Sequence, residues 1–298
     1  MSTDLRELFP DVASLRAALD GTGYLAGEQL SAALFLAVRM GQPILLEGEP
    51  GVGKTEAAKA LASALDTALV RLQCYEGIAA SEALYEWNYP RQLLAIRLAE
   101  ASHEQVRDRD LFTEDYLLAR PLLTALQHPG PRPAVLLIDE VDRADDEFEA
   151  FLFELLAESA VTIPELGTRR ATVPPVAVLT SNRTRDLHDA LKRRCLYHWI
   201  AYPDTARVAR IIRRRVPGAS EPLAGEVATA VGRLRGLGLT KPPGVSEAIA
   251  WASALEVFGA DELTERVAGD TLTAVVKYPE DEESVRAAGL ASVVGAKE

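Results

Sequence analysis

Gly48-Glu49-Pro50-Gly51-Val52-Gly53-Lys54-Thr55 matches the spacing GxxxxGK[ST] without deviation. Glycines at such positions let the backbone wrap a phosphate with its amides pointing inward. A helix beginning near Lys54 adds the positive end of its dipole. There Lys54 reaches the β- and γ-phosphates of a nucleotide, and the Thr55 hydroxyl coordinates Mg²⁺. Glu56 closes the stretch assigned to nucleotide binding. A second group is Val135-Leu136-Leu137-Ile138-Asp139-Glu140, an apolar run ending in two acids. Ligands of parallel sheets bind at such strand ends. Asp139 is suited to hold Mg²⁺ through water, and Glu140 to polarise the attacking water as general base. The third candidate is Asn182, after Leu179-Thr180-Ser181, whose amide would orient the lytic water or touch the γ-phosphate. The fourth is Lys192-Arg193-Arg194-Cys195, where an arginine fork would reach a neighbouring subunit's γ-phosphate. Taken alone, the last two groups are also what an ordinary polar loop and a solvated basic turn look like.

The elements around these residues follow from periodicity. Residues 28–40 read as an amphipathic helix, stopped at Gly41. Ile44-Leu45-Leu46 reads as a short buried strand, so strand, glycine turn and helix (Lys54 to Leu65) follow in the order a phosphate loop needs. Ala68 to Cys74 is a second strand by its alternation. Leu93 to Glu100 and Tyr116 to Leu126 read as helices. Ala134 to Ile138 and Val176 to Leu179 are continuous apolar runs, expected for strands covered on both faces. Between them lie a helix at about 145–158 and a Pro/Gly-rich loop or hairpin at 161–175. Strands alternating with helices predict an α/β parallel sheet. After Pro203 the texture becomes helical, with Asp204 capping a helix to Val216, then helices at 221–237 and 245–258 and a strand pattern only at Val275-Val276. The expected division is a nucleotide-binding domain of 1–202 and a helical lid of 203–298.

The chain has 298 residues, 48% of them hydrophobic, enough for about two domains without disulfide or metal staples. Acidic residues outnumber basic ones 44 to 32, a net charge of −12 that opposes binding nucleic acid mainly through phosphates. Cys74 and Cys195 form no CxxC, and the four histidines lack close metal-ligand spacing. The N-terminal stretch carries Asp4, Arg6 and Glu7, unlike a signal peptide. The apolar run from Leu30 is broken by Arg39, too short to span a membrane. A reduced, soluble, cytoplasmic protein is expected.

Taken in order, the phosphate loop, the Asp-Glu strand end, the Asn strand end, the Arg-Arg turn and the helical lid resemble an AAA+ ATPase. More narrowly, PILLEGEPGVGKTEAAKALA, LLIDEVDRADDEFEAFLFELLAE and VLTSNRTRDLHDALKRRCLYHW are similar to the MoxR family. QCYEGIAASEALYEWNYPRQLL and KPPGVSEAIAWA look like its branch associated with carbon monoxide dehydrogenase maturation. The resemblance covers about residues 20–260. It implies a P-loop NTPase core with a helical lid, ATP and Mg²⁺, a ring that is usually a hexamer, a partner with a von Willebrand A domain, and a protein client, including a metalloenzyme being matured. By motif, Lys54 and Thr55 match Walker A, Asp139 and Glu140 Walker B, Asn182 the first sensor, and Arg194 the arginine finger. Arg193 and Cys195 replace the family's Asp and Phe beside that arginine, which leaves Arg193 as a second candidate finger. In the lid, Ser246 falls where many members carry a sensing arginine, and Lys241 is the nearest cation.

Two groups stay open at this level. Tyr85, Trp87 and Tyr89 alternate, as pore-lining or packing aromatics do. Arg207, Arg210 and Arg214 share one helix face, either solvated or turned to a neighbour. The alternative to protein remodelling is a nucleic-acid motor or loader of the same fold. A scaffold that binds nucleotide without turnover is the third reading, and Glu140 argues against it.

Overall fold

The computed structural model describes residues 8–103, 105 and 107–295, with the side chains of Asp108 and Glu154 set aside. Asp4, Arg6 and Glu7 lie outside the described residues. Two compact units emerge. The first runs to Thr22 and takes in Ala26–Glu47 and Thr55–Trp199; the second is Gly23–Leu25, Gly48–Lys54 and the chain from Ile200 onward.

The first unit is built on a parallel sheet: β1 (Ile44–Glu47), β2 (Leu69–Gln73), β5 (Val135–Asp139), β8 (Val176–Ser181) and β9 (Leu196–Trp199), in the order β2-β5-β8-β1-β9. Every residue of β1, β5 and β8 is buried, as continuous apolar runs require when both faces of a sheet are covered. The edge strands β2 and β9 are only partly buried. Because β9, Leu-Tyr-His-Trp, neither runs apolar nor alternates cleanly between apolar and polar residues, its sequence does not announce a strand. Flanking helices are α1 (Val12–Gly21), α2 (Glu28–Met40), α3 (Lys54–Ala64), α7 (Pro121–Leu126) and α8 (Asp146–Glu158). The fold is a five-stranded parallel sheet with accompanying helices, followed along the chain by a helical region.

The segment expected as one helix from Tyr116 to Leu126 is not one. Leu117–Ala119 forms β4, antiparallel to β3 (Tyr85–Trp87), and the helix starts only at Pro121. Pro121 explains the break: proline pushes its predecessor out of helical space, and Arg120 sits at φ −93°, ψ 174°. Just before β3 comes α4 (Ala80–Leu84), and between the two strands lie α5 (Tyr89–Ala101) and α6 (Asp108–Leu111). Residues 161–175 do contain a hairpin, β6 (Ala160–Ile163) with β7 (Gly167–Arg170). A short helix, α9 (Asp189–Lys192), precedes β9.

The second unit is helical beyond Ile200: α10 (Thr205–Arg215), α11 (Glu221–Arg235), α12 (Val245–Val257), α13 (Glu265–Thr271), α14 (Pro279–Ala288) and α15 (Leu290–Val294). The strand expected at Val275-Val276 is absent. Both valines follow a 3₁₀ turn, Leu272–Ala274, and are buried in the helical core. Trp251 centres that core; fully buried, it donates its indole N–H to Thr271 Oγ1 at 2.8 Å.

Candidate nucleotide-binding site

All five strands of the parallel sheet point the same way, so Gln73, Asp139, Ser181 and Glu47 end at one edge. Asp139 ends β5 with its carboxylate almost fully buried. It accepts from Thr55 Oγ1 at 3.0 Å, from Thr180 Oγ1 at 2.5 Å and from Arg71 Nη2 at 2.6 Å. The first contact joins the two residues expected to serve Mg²⁺. Arg71 supplies the positive charge that a buried carboxylate needs.

Glu140 follows in the left-handed region, φ 56° and ψ 48°. Such a conformation costs a non-glycine residue about 1–3 kcal/mol and persists only when its surroundings impose it. Its amide donates to Thr180 Oγ1 at 2.9 Å, and its carboxylate accepts from Gln73 Nε2 at 3.1 Å and Arg143 Nη1 at 3.2 Å. Asn182 lies one residue beyond β8, and its side chain has no hydrogen bond among the described residues. Its main chain is tied to the acidic turn by Asp142, only 2% exposed. Asp142 Oδ2 accepts from the amides of Asn182 at 3.2 Å and Thr184 at 2.8 Å, and from Thr184 Oγ1 at 2.7 Å.

In the second unit, the phosphate loop is shaped by its glycines. At Gly48 a Cβ would lie 2.5 Å from the carbonyl oxygen of Ile200, so no side chain fits. Gly53 has φ +95°, open to glycine and strained for other residues. Lys54 is buried, and its ammonium donates to the carbonyls of Gly48 at 2.7 Å and Glu49 at 2.8 Å. The ammonium is therefore held inside its own loop. The loop carbonyl of Gly51 accepts from the amide of Val245 at 3.0 Å. Pro50 is exposed and Val52 buried. Glu56, by contrast, pairs with Lys59 at 2.6 Å on the face of α3.

The cation that meets this loop is one the sequence did not single out. Arg235 pairs with Glu49, donates to the carbonyl of Pro243 at 2.9 Å and lies 3.9 Å from the Tyr202 ring. Lys241 is exposed; its amide donates to Asp281 at 3.0 Å, and its ammonium has no partner among the described residues. Ser246 is exposed.

Arg193 and Arg194 lie at the other edge of the sheet. β9 begins at Leu196, which pairs with Ile44, the first residue of β1. Arg194 therefore lies before the first residue of β9, whereas Asp139 ends β5 at the level of His198, near the last residue of β9. Trp87 is buried and edge-on to Phe112 at 5.1 Å, which makes it a packing residue, whereas Tyr89 is 62% exposed. On α10, Arg207 donates to the carbonyl of Leu25, Arg213 pairs with Glu221 at 3.2 Å, and Arg210 is exposed.

Burial pushes both thiols up to about 12, Cys74 with help from Asp139 and its acidic neighbours. Both are neutral and unsuited to nucleophilic or metal chemistry. Among the described residues no cluster of three or more His, Cys, Asp or Glu could hold a metal, and no helix is long and apolar enough to cross a membrane.

No curated protein matches the chain. Solved structures of RuvB from Thermotoga maritima are similar. One, of a point mutant, is 19% identical with a TM-score of 0.48, covering 83% of this chain and 68% of that one. Another, a Holliday junction branch migration motor, is 18% identical with a TM-score of 0.47, covering 91% and 80%. The family described as an AAA domain of the dynein-related subfamily matches residues 43–195. That span is just over half of the chain, and the protein belongs to this dynein-related subfamily of AAA domains.

Proposed function

We propose that the protein is a ring-forming ATPase of the MoxR type, which uses ATP hydrolysis to remodel a protein client. The partner expected with it is a von Willebrand A domain protein, and the client a metalloenzyme undergoing maturation. AAA domains as a class hydrolyse ATP with Mg²⁺ and typically assemble as hexamers. The narrower reading is supported by the MoxR-like stretches around Lys54, Asp139 and Asn182. A domain of 1–202 would bind nucleotide, and the helical region of 203–298 would serve as its lid.

One observation carries the ring: Asp139 and Glu140 lie at one edge of the sheet and Arg193-Arg194 at the other. An arginine there completes a site only in a neighbouring subunit.

Within a subunit, Lys54 would meet the β- and γ-phosphates. Thr55 and Asp139 are oxygen donors already in contact at 3.0 Å, a set that fits Mg²⁺. Mg²⁺ supplies charge neutralisation at the phosphates. Glu140 accepts the proton of the attacking water, with Gln73 and Arg143 fixing its carboxylate. Asn182 orients that water or the γ-phosphate. Arg194 from the next subunit meets charge developing on the γ-phosphate, worth about 10³-fold or more in rate. Arg235 holds Glu49 of the loop and is a stronger candidate than Lys241 for reporting nucleotide to the helical unit.

The test mixes Arg194→Ala with Lys54→Ala, each inactive alone. Interfaces joining an intact loop to an intact finger should restore part of the hydrolysis once labelled subunits are seen to exchange. Exchange without recovery would remove Arg194 as a trans finger and send the same test to Arg193. Strong stimulation of hydrolysis by DNA would instead favour a nucleic-acid motor.

A further inference from the structure

We propose that Phe153 is the positioning residue of the arginine finger, its ring holding the Arg194 guanidinium ready for the neighbouring subunit; the proposal rests on Arg194 acting in trans. The guanidinium carbon lies 4.1 Å from the centre of the Phe153 ring. The main chain below it is pinned as well, because Gln42 Nε2 donates to the carbonyl of Arg194 at 3.0 Å. Phe153, Arg193 and Arg194 share a cleft of about 440 Å³ with Met40, Gln42 and Leu156. By contrast, the Arg193 side chain has no ion pair, hydrogen bond or ring contact among the described residues and is exposed.

An arginine that works on another molecule's phosphate must be held without being neutralised. A carboxylate partner would fix it but would occupy its donors and cancel its charge. An aromatic face attracts the cation through the flat side of the guanidinium and leaves the N–H groups on its edge free. Phe153 meets that requirement at a site where Arg194 has no acidic partner among the described residues. It also sits on α8, the helix that follows the Asp139–Arg143 turn. A shift of that turn on hydrolysis would therefore move the ring on which the finger rests.

The test replaces Phe153 with leucine, which keeps volume and loses the ring face, and with tyrosine, which keeps the face. Phe153→Leu should lower kcat about two- to fivefold, the size of an exposed cation–π contact. KM for ATP should stay at the parent value, and Phe153→Tyr should recover the rate. Placement then separates positioning from general structure. When Phe153→Leu is added to the Lys54→Ala chain, which donates the finger, activity restored by mixing with Arg194→Ala should fall by that same factor. When it is added to the Arg194→Ala chain, which donates the loop, the restored activity should not change. Equal losses from both placements, or no loss from either, would overturn the proposal. Exchange without any recovery from the parent mixture would instead show that Arg194 is not a trans finger, and both readings would fall. Should Phe153→Leu not fold, Phe153→Met supports the same comparison.

Discussion

Glu140 is strained, conspicuously hydrogen-bonded and placed one residue after a buried Asp, a combination that separates its role from that of Lys54. Glu140→Gln keeps shape and leaves the phosphate loop untouched but removes the carboxylate proposed to accept the proton. It should retain bound ATP and release phosphate at least about 10²-fold more slowly. Lys54→Ala should instead lose tight ATP binding, because the cation proposed to face two phosphates is gone. Nucleotide retention and phosphate release measured on both variants separate the two; hydrolysis by Glu140→Gln at the parent rate would remove the base assignment. Asp142 has a different duty. Its Oδ2 gathers three donors from the Asn182–Thr184 loop, while its Oδ1 has no partner among the described residues. Asp142→Ala leaves those donors without their acceptor and should cost about 1–3 kcal/mol of stability. Turnover should fall with it, since Asn182 loses its tie to the Glu140 turn, and denaturant unfolding beside steady-state kinetics reads both effects.

At the scale of elements, capping residues decide where several helices begin. Asp204 Oδ1 accepts from the amide of Arg207 at 2.7 Å, and Asp145 accepts from that of Phe148 at 2.8 Å. Arg213, Arg214 and Arg215 occupy the last turn of α10, where the helix dipole favours cations. Asp204→Ala should therefore destabilise the helical unit by about 1 kcal/mol without touching the phosphate loop. The expected result is a lower unfolding midpoint with unchanged nucleotide affinity. A fall in affinity without a change in midpoint would show that Asp204 does something other than cap.

The whole molecule has two hydrophobic cores, one under the parallel sheet and one around Trp251. Its net charge of −12 keeps copies apart unless a specific interface overcomes the repulsion. If ATP bridges the loop of one subunit and Arg194 of the next, binding energy is shared with assembly. Light scattering should then show larger particles with a slowly hydrolysed ATP analogue than without it. A strict monomer at tens of micromolar with the analogue present would exclude the ring.

Local chemistry was legible in the amino-acid sequence because it is written in spacing. GxxxxGK[ST] requires no distant residue to be recognised. The apolar runs at Ile44, Val135 and Val176 announce buried parallel strands, and Asp204 announces its helix. What the sequence could not show depends on strand order. Gln73 meets Glu140 because β2 lies beside β5 with Gln73 opposite Asp139, a pairing of residues 67 apart that periodicity does not encode. Asp142 and Asn182 meet because β5 lies beside β8. The mixed texture of β9 hid an edge strand, and with it the sheet edge at which Arg194 sits. Arg235 and Glu49 are 186 residues apart, a contact that no local pattern announces. Helix and strand periods follow from each residue's own neighbours, but the pairing of distant side chains follows from how those elements pack, which tertiary structure alone decides.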